Sequence, residues 1–431
     1  MMIFVPLFYF FLLLVVHYKK NGNNFDIACY ILSIFSVSSF FSILYDTFKL
    51  RSNDSINYVI SAEATFVYCV LITIGVLPFM LYPHTKMARM SPCKNPEILK
   101  FFAWVFFLWM FIYTIMSFDS LVKILTGNLG QMRMDHYNGL GESKWFANYP
   151  FILRVPINLF LLSTGSAWIL LFFGFYCISV QKLPFKYGLL YILASIVGIV
   201  RNVVSAGRSD MVYWLIGLGA CCVFYYPYFS KKQWKSVKKY MYVLVGLFIS
   251  YIFVATVSRF GEREMGTIGG SEGGFITYAG QSFVNFCFFW DTYTCPIPTL
   301  ELIFPFTYSA LGISTEGGAV GMQHMLSLVS GYNLGVFYTY IGQIAVASHN
   351  VVAVIYCIFH SLISLYCGSR LKKNGTRLIV CYFYLVLASV LFLGLFSHYY
   401  CFQAKTFSVF SFAMIILTLS SSGKTQRKSY K

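Results

Sequence analysis

An all-α fold that crosses a membrane many times is predicted for this chain from three observations. Hydrophobic residues make up 58% of the 431 positions and charged residues only 11%, a balance far from that of a soluble globular protein. Windows of about 20 mostly apolar residues, the length needed to cross the hydrocarbon core, recur from end to end. The basic residues between these windows are unevenly distributed, as they are in polytopic membrane proteins.

About eleven transmembrane helices are predicted from the apolar windows. The first window lacks the basic start and the small-residue cleavage site of a secretory signal, and Lys19 and Lys20 follow it, so we interpret it as a retained span. The predicted spans are 2–18, 27–45, 58–82, 101–118, 151–180, 187–204, 211–229, 240–257, 349–366, 378–396 and 407–419.

Lysine and arginine residues orient these spans. When the loops are assigned alternately to two sides, 21 of the 32 Lys and Arg residues fall on one side. The positive-inside rule places that side in the cytoplasm, which predicts an outside N-terminus and a cytoplasmic C-terminus. The net charge of +17 is then explained by topology and by contact with the lipid bilayer, so we expect no nucleic-acid partner.

Two long loops, 119–150 and 259–333, fall on the predicted outer side of a single membrane domain covering 1–431. Loops of this length are usually functional or disordered. The second one lies between spans 8 and 9 and contains aromatic, apolar stretches that cannot stay solvated, so we expect it to be partly interfacial or re-entrant and to form a lid. The apolar stretch 334–367 is too long for one span, and we interpret 335–347 as a re-entrant piece before it.

Cysteine spacing does not indicate a disulfide framework or a metal site. None of the 12 cysteines forms a Cys-x-x-Cys pair, and most lie within apolar segments. Cys287 and Cys295 could form an outer disulfide, although two small buried hydrophobic side chains are the favoured interpretation.

The most informative polar segment is the short outward turn 205–210, which joins two spans with almost no loop. Gly207 permits a tight turn, and Arg208 is held at the outer membrane surface. Arg201 lies seven residues earlier, about 10 Å along the same helical face. Two guanidinium groups at that depth need an anionic partner, and they would bind a pyrophosphate by bidentate hydrogen bonds. Arg201 could instead reach lipid head groups or pair with Asp210.

A second outward cluster contains Arg259, Glu262 and Arg263, where the eighth span enters the long loop. Alternating charges of this kind are typical of a solvated salt-bridge face. Beside an aromatic lid, however, the same residues could complete an anion-binding clamp while a carboxylate accepts a proton.

The long loop also supplies a candidate base and candidate sugar contacts. Asp291 stands within an apolar stretch, where burial would raise its pKa towards that of a useful general base. Tyr278 and Trp290 offer aromatic faces, and His324 is an outer-side imidazole, although a single His in such a place is more often a packed residue. The predicted outer loops contain no Asp-x-Asp motif, so we expect neither a metal nor another cofactor.

These features together resemble the Wzy-type polymerases of oligosaccharide repeat units. The resemblance rests on about eleven spans, basic inner loops, the turn Gly207-Arg208-Ser209-Asp210 and a long outer loop late in the chain. An outer-loop Arg followed by Gly eleven positions later occurs in some members, and Arg208 with Gly219 and Arg259 with Gly270 have that spacing here.

The resemblance implies a metal-independent membrane glycosyltransferase of the bacterial inner membrane, working on O-antigen, capsule or exopolysaccharide. Its donor and acceptor would be polyprenyl-pyrophosphate-linked glycans, and a chain-length regulator is a further partner to consider. Arg208, Arg259 and Arg263 would stabilise the departing pyrophosphate, and Asp291 or a neighbouring acid or imidazole would accept the proton. The remaining substrate contacts would come from Arg201, Glu262, Tyr278, Trp290 and His324.

Three other functions remain open from the sequence. An O-antigen ligase would use the same lipid-pyrophosphate clamp. A flippase of lipid-linked oligosaccharides would use an Arg-lined cavity without needing a 75-residue outer loop. A solute transporter would be expected to contain inverted repeats or paired broken helices, and neither is visible in the sequence.

Overall fold

The computed structural model describes residues 2–48, 50, 55, 57–86, 90–118, 122, 150–204, 209–260, 271–315, 318–371 and 377–421. These residues form α-helices and short 3₁₀ turns, without a β-strand. The α-helices are α1 (Val5–Lys20), α2 (Ile27–Thr47), α3 (Ala62–Leu81), α4 (Pro96–Met116), α5 (Phe151–Ser163), α6 (Trp168–Ser179), α7 (Phe185–Ala194), α8 (Val197–Val204), α9 (Ser209–Tyr225), α10 (Lys231–Phe260), α11 (Ser271–Thr292), α12 (Pro305–Ala310), α13 (Gly318–Ser330), α14 (Thr339–Ala347), α15 (Asn350–Leu371), α16 (Leu378–Phe392) and α17 (Gln403–Ser421).

The protein is an all-α polytopic membrane protein, as the sequence predicts. Seven helical segments of the described residues are long and apolar enough to cross a membrane, and an eighth is added if α5 and α6 form one bent span. Three other predicted spans lie on helices that do not meet this test. The apolar parts of α16 and α17 are shorter than 18 residues, and the side chains of α10 are only partly described.

The single span predicted at 151–180 is two helices. The axes of α5 and α6 differ in direction by 76°. At the break, the hydroxyls of Ser163 and Thr164 both donate hydrogen bonds to the backbone oxygen of Phe160, so side chains compete with the helical backbone there. Thirty residues also exceed the length of a straight crossing.

The chain divides into two compact units. The first comprises Met1–Met87, Phe253–Lys373 and Tyr384–Thr406, and the second comprises Ala88–Ile252, Asn374–Phe383 and Phe407–Lys431. In the second unit all twelve residues of α6 are buried. Gly174 of α6 and Gly188 of α7 lie so close that a Cβ on Gly188 would come within 2.8 Å of the Gly174 oxygen. Small residues thus allow these two helix backbones to approach closely.

In the first unit, α11 packs tightly along α2. Ser38 and Ser42 of α2 donate hydrogen bonds to the backbone oxygens of Ala279 (2.9 Å) and Gly280 (2.7 Å). A Cβ on Gly280 would lie 2.3 Å from the backbone oxygen of Phe41. Only glycine therefore fits at this contact between the two helices.

The same helix runs antiparallel to α3. The ring of Tyr68 lies 4.9 Å from that of Phe283 and 5.2 Å from that of Phe286, and further along α11 the carboxylate of Asp291 accepts a 2.5 Å hydrogen bond from Tyr58. The segment predicted to form an outer lid therefore contains a 22-residue helix packed inside the first unit. The packing of this helix could not be predicted from hydropathy, because α11 carries polar residues that the fold buries.

A short helix is separated from the following span, at the place where the sequence predicts a re-entrant piece. All nine residues of α14 are buried, and the chain turns at Ser348 before α15 begins at Asn350. The backbone nitrogens of Tyr338 and Tyr340 donate to the oxygens of Phe396 and Gly394, which ties this segment to the end of α16.

The cysteines follow the simpler of the two interpretations. All 12 are free, and Cys287 and Cys295 are both buried in the first unit. They serve there as small apolar side chains and form no outer disulfide.

Candidate functional site

Two side-chain contacts connect α8 and α9 across the turn that the sequence singles out. Arg201 Nη2 lies 2.8 Å from Asp210 Oδ2, and the two side chains are only 23% and 15% exposed. Asn202 Nδ2 donates to Ser209 Oγ at 3.2 Å. Arg208 belongs to the segment 205–208, which lies outside the described residues. The pairing of Arg201 with Asp210 was one of the alternatives left open by the sequence, and it places a carboxylate in the first turn of α9, where the helix dipole favours it.

Replacing Asp210 with alanine is expected to destabilise the protein, because Arg201 would lose its carboxylate in a mostly buried position. We expect a cost of about 2 kcal/mol, below that of a fully buried pair because both side chains retain some exposure. The measurement is a double-mutant cycle of melting temperatures with Arg201→Met and Asp210→Ala. Strictly additive effects of the two substitutions would contradict a contribution from this ion pair.

The second predicted arginine cluster cannot be placed. The backbone of Arg259 belongs to α10, but its side chain is outside the described part, and Glu262 and Arg263 fall in the undescribed segment 261–270. Their proposed roles stay predictions from the sequence.

The predicted burial of Asp291 is wrong. Its side chain is exposed at the C-terminal end of α11, because the packed part of that helix ends one residue earlier. Its carboxylate instead accepts a 2.5 Å hydrogen bond from Tyr58, and burial together with this bond raises the pKa of Tyr58 well above its usual value. Asp291 is thus an accessible carboxylate held by a protonated phenol.

Aromatic side chains pack together near the end of α11 that carries Asp291, in what we call the aromatic cluster, formed by Phe288, Phe289, Tyr293, Tyr332 and Tyr338. Their rings contact one another at angles typical of edge packing, for example Phe289 with Tyr338 at 5.3 Å and Phe288 with Tyr332 at 5.9 Å. The ring of Tyr58 joins the cluster 5.5 Å from Phe288. The cluster therefore fixes the end of α11 that carries Asp291.

The other predicted sugar contacts are only partly brought together. Trp290 stacks on Phe286 at 5.3 Å, next to Asp291 in sequence, and its backbone oxygen accepts a hydrogen bond from Asn350. Tyr278 is exposed and contacts Phe337, but it lies twelve residues before Trp290, about 18 Å along the helix axis. His324 is exposed on α13. Of these three described residues, only Trp290 adjoins the candidate base, as its neighbour in the sequence.

A buried polar network in the first unit was missed by the sequence reasoning. Gln343 of α14 accepts a hydrogen bond from the backbone nitrogen of His398, and Tyr356 of α15 contacts His398 Nε2 at 3.0 Å. Lys405 is 7% exposed, and its ammonium lies 4.0 Å from the centre of the Tyr399 ring. The only available signal was the presence of His398 and Lys405 in the short connection between two predicted spans.

His398 should make folding stability depend on pH. It lies between α16 and α17, outside the spanning segments, and burial, assisted by His360, lowers the pKa of its imidazole from 6.5 to about 3. Because the unfolded chain binds the proton more readily, the stabilisation is complete above pH 6.5 and is lost as the pH falls towards 3, by up to about 1.4 kcal/mol per pH unit. The measurement is melting temperature against pH, and His398→Gln should flatten the slope. The control is the exposed His324→Gln, and equal slopes for all three proteins would contradict the prediction.

One group of described residues has the composition of a metal site. The ligand atoms of His17, Asp26 and Cys29 lie within 4.8 Å of one another, and all three residues are buried. The Asp26 carboxylate already accepts hydrogen bonds from His17, Asn21 and the Cys29 backbone nitrogen. Burial raises the pKa of Asp26, but these hydrogen bonds outweigh it and hold the pKa below its usual value. The carboxylate caps α2 and is held by hydrogen bonds from the His17 ring and the Asn21 amide.

Comparisons of the chain with protein-family models, with curated proteins and with solved structures found no match.

Proposed function

We propose that this protein is a Wzy-type polymerase that joins polyprenyl-pyrophosphate-linked repeat units on the outer face of the bacterial inner membrane. The growing glycan would leave its lipid pyrophosphate and be transferred to a hydroxyl of the next lipid-linked repeat unit. The bond from the donor anomeric carbon to the pyrophosphate oxygen breaks, and a bond from that carbon to the acceptor oxygen forms. The acceptor proton passes to a base, and the pyrophosphate departs as an anion.

The contact between Arg201 and Asp210 is the observation that carries this proposal. It fixes α8 against α9 on both sides of the turn that contains Arg208. A leaving pyrophosphate is stabilised best by cationic donors that are already in position, because no reorganisation is then needed during the reaction. Asp210 holds Arg201 in place, and in this mechanism Arg208 is the guanidinium that contacts the pyrophosphate.

Asp291 fits the role of the base through its accessibility. It is exposed to an incoming acceptor, held by Tyr58 and adjacent to Trp290 in the sequence. Aromatic faces and a positioned carboxylate are suited to holding a sugar and accepting the proton of its hydroxyl. Arg259, Arg263 and Glu262 remain predicted anion-binding residues, and Tyr278 and His324 remain predicted substrate contacts.

The experiment that tests this function is a gel of the surface and lipid-linked glycans of cells from which the gene has been deleted. If the protein is a polymerase, the deleted cells will carry glycans of a single repeat unit, and the intact gene will restore full-length polymer. Full-length polymer retained on its lipid carrier would identify a ligase instead, and repeat units trapped on the cytoplasmic side would identify a flippase. An unchanged profile would contradict all three and favour a transporter.

A further inference from the structure

A pocket of about 280 Å³ opens at one end of the first unit, where α1 and α3 end and the last turn of α15 passes. Two exposed lysines, Lys20 and Lys86, line it together with the buried His17 and Asn21. No acidic residue is among the lining residues. The nearby Asp26 is fully buried and accepts hydrogen bonds from His17 and Asn21, so the two lysines are the charged groups that are exposed at the pocket.

Asn21 adds an unsatisfied acceptor to this positively charged pocket. The residue is 2% exposed, and its amide nitrogen donates to Asp26 at 2.8 Å. Its Oδ1 atom is buried and accepts no hydrogen bond from the described residues. A buried carbonyl oxygen without a donor is costly, and a ligand that carries a hydroxyl or amine group beside its negative charge would supply that donor.

Apolar side chains form the rest of the wall. Met80, Leu81 and Pro83 line the pocket, and Leu81 is 52% exposed although it ends a helix long enough to span a membrane. A ligand here would therefore contact cations at one end and hydrocarbon at the other. That combination is the chemistry of a phospholipid at the membrane surface.

We propose that this pocket binds the head group of an anionic phospholipid of the phosphatidylglycerol kind. The phosphate lies between Lys20 and Lys86, a glycerol hydroxyl donates to Asn21 Oδ1, and the acyl chains run along Leu81. The positive-inside rule puts this end of the unit in the cytoplasmic leaflet, where anionic lipids attract basic groups. The inference is independent of the proposed glycosyl transfer.

The test is native mass spectrometry of the full-length protein in detergent, titrated with phosphatidylglycerol, with phosphatidylcholine and with free glycerol phosphate. We expect phosphatidylglycerol to bind in preference to phosphatidylcholine. Lys20→Gln with Lys86→Gln should weaken its binding by about 30-fold, since each cation near an anionic lipid contributes roughly fivefold. The matched control is Lys19→Gln with Lys232→Gln, which removes two charges from the same predicted side without changing the pocket, and it should bind normally.

Several outcomes would overturn the proposal. Equal binding of the two phospholipids would remove the requirement for an anionic head group, and equal losses in the two double variants would show only a general effect of charge. Binding of glycerol phosphate alone, with the same lysine dependence, would assign the pocket to a soluble phosphate instead of a lipid. All four substituted lysines are exposed, so both double variants are expected to fold.

Discussion

Gly280→Ala is expected to lower the stability of the first unit by roughly 3 kcal/mol. The added Cβ would lie 2.3 Å from the Phe41 oxygen and 2.9 Å from the Ser42 nitrogen, which are backbone atoms of α2 that cannot rotate away. The two helices would have to separate, and the hydrogen bond from Ser42 to the Gly280 oxygen would weaken. The measurement is the melting temperature of the purified protein in detergent, with an expected fall of several degrees.

Gly246→Ala is the matched control for this substitution. Gly246 lies in α10, and a Cβ built there has no atom within 4 Å. Alanine should therefore leave stability unchanged or raise it by up to about 1 kcal/mol through its better helix propensity. If the Gly280→Ala protein had the same melting temperature as the parent protein, α11 would not pack on α2 as described.

Arg208→Lys is expected to abolish polymer while the amount of protein in the membrane stays normal. Lysine keeps the charge but loses the planar fork that can hold two pyrophosphate oxygens at once. Losing one such positioned donor commonly lowers a rate by about 100-fold or more. The measurement is the length distribution of surface glycan in deletion cells that carry the variant gene, with the protein quantified in isolated membranes.

Arg377→Lys is the control for that experiment. Arg377 is an exposed arginine directly before α16, on the side predicted to be cytoplasmic, so the same chemical change there should leave polymer intact. Normal polymer in the Arg208→Lys cells would remove Arg208 from the mechanism, even if the deletion itself had reduced glycan to single units.

The site could be predicted from the sequence only in part. The pairing of Arg201 with Asp210 could be named as an alternative from the sequence, because the two residues are nine positions apart in the chain, on either side of one short connection between helices. The exposure of Asp291 could not be predicted from the sequence, because it depends on where the packing of α11 against its neighbours ends. Its partner Tyr58 is 233 residues away, and no local pattern connects the two.

The sequence by itself determined the fold class and most helix positions, because hydropathy is a local property and a membrane imposes one span length. The tertiary structure alone decided which polar residues are buried. Asn285 of α11 donates to the backbone oxygen of Phe337, 52 residues later. The pocket proposed to bind a phospholipid likewise combines His17, Lys20 and Asn21 with residues 80–83, Lys86 and Gly368. A polar atom is stable inside the protein once it finds a hydrogen-bond partner, and that partner is supplied by a distant segment that hydropathy cannot identify.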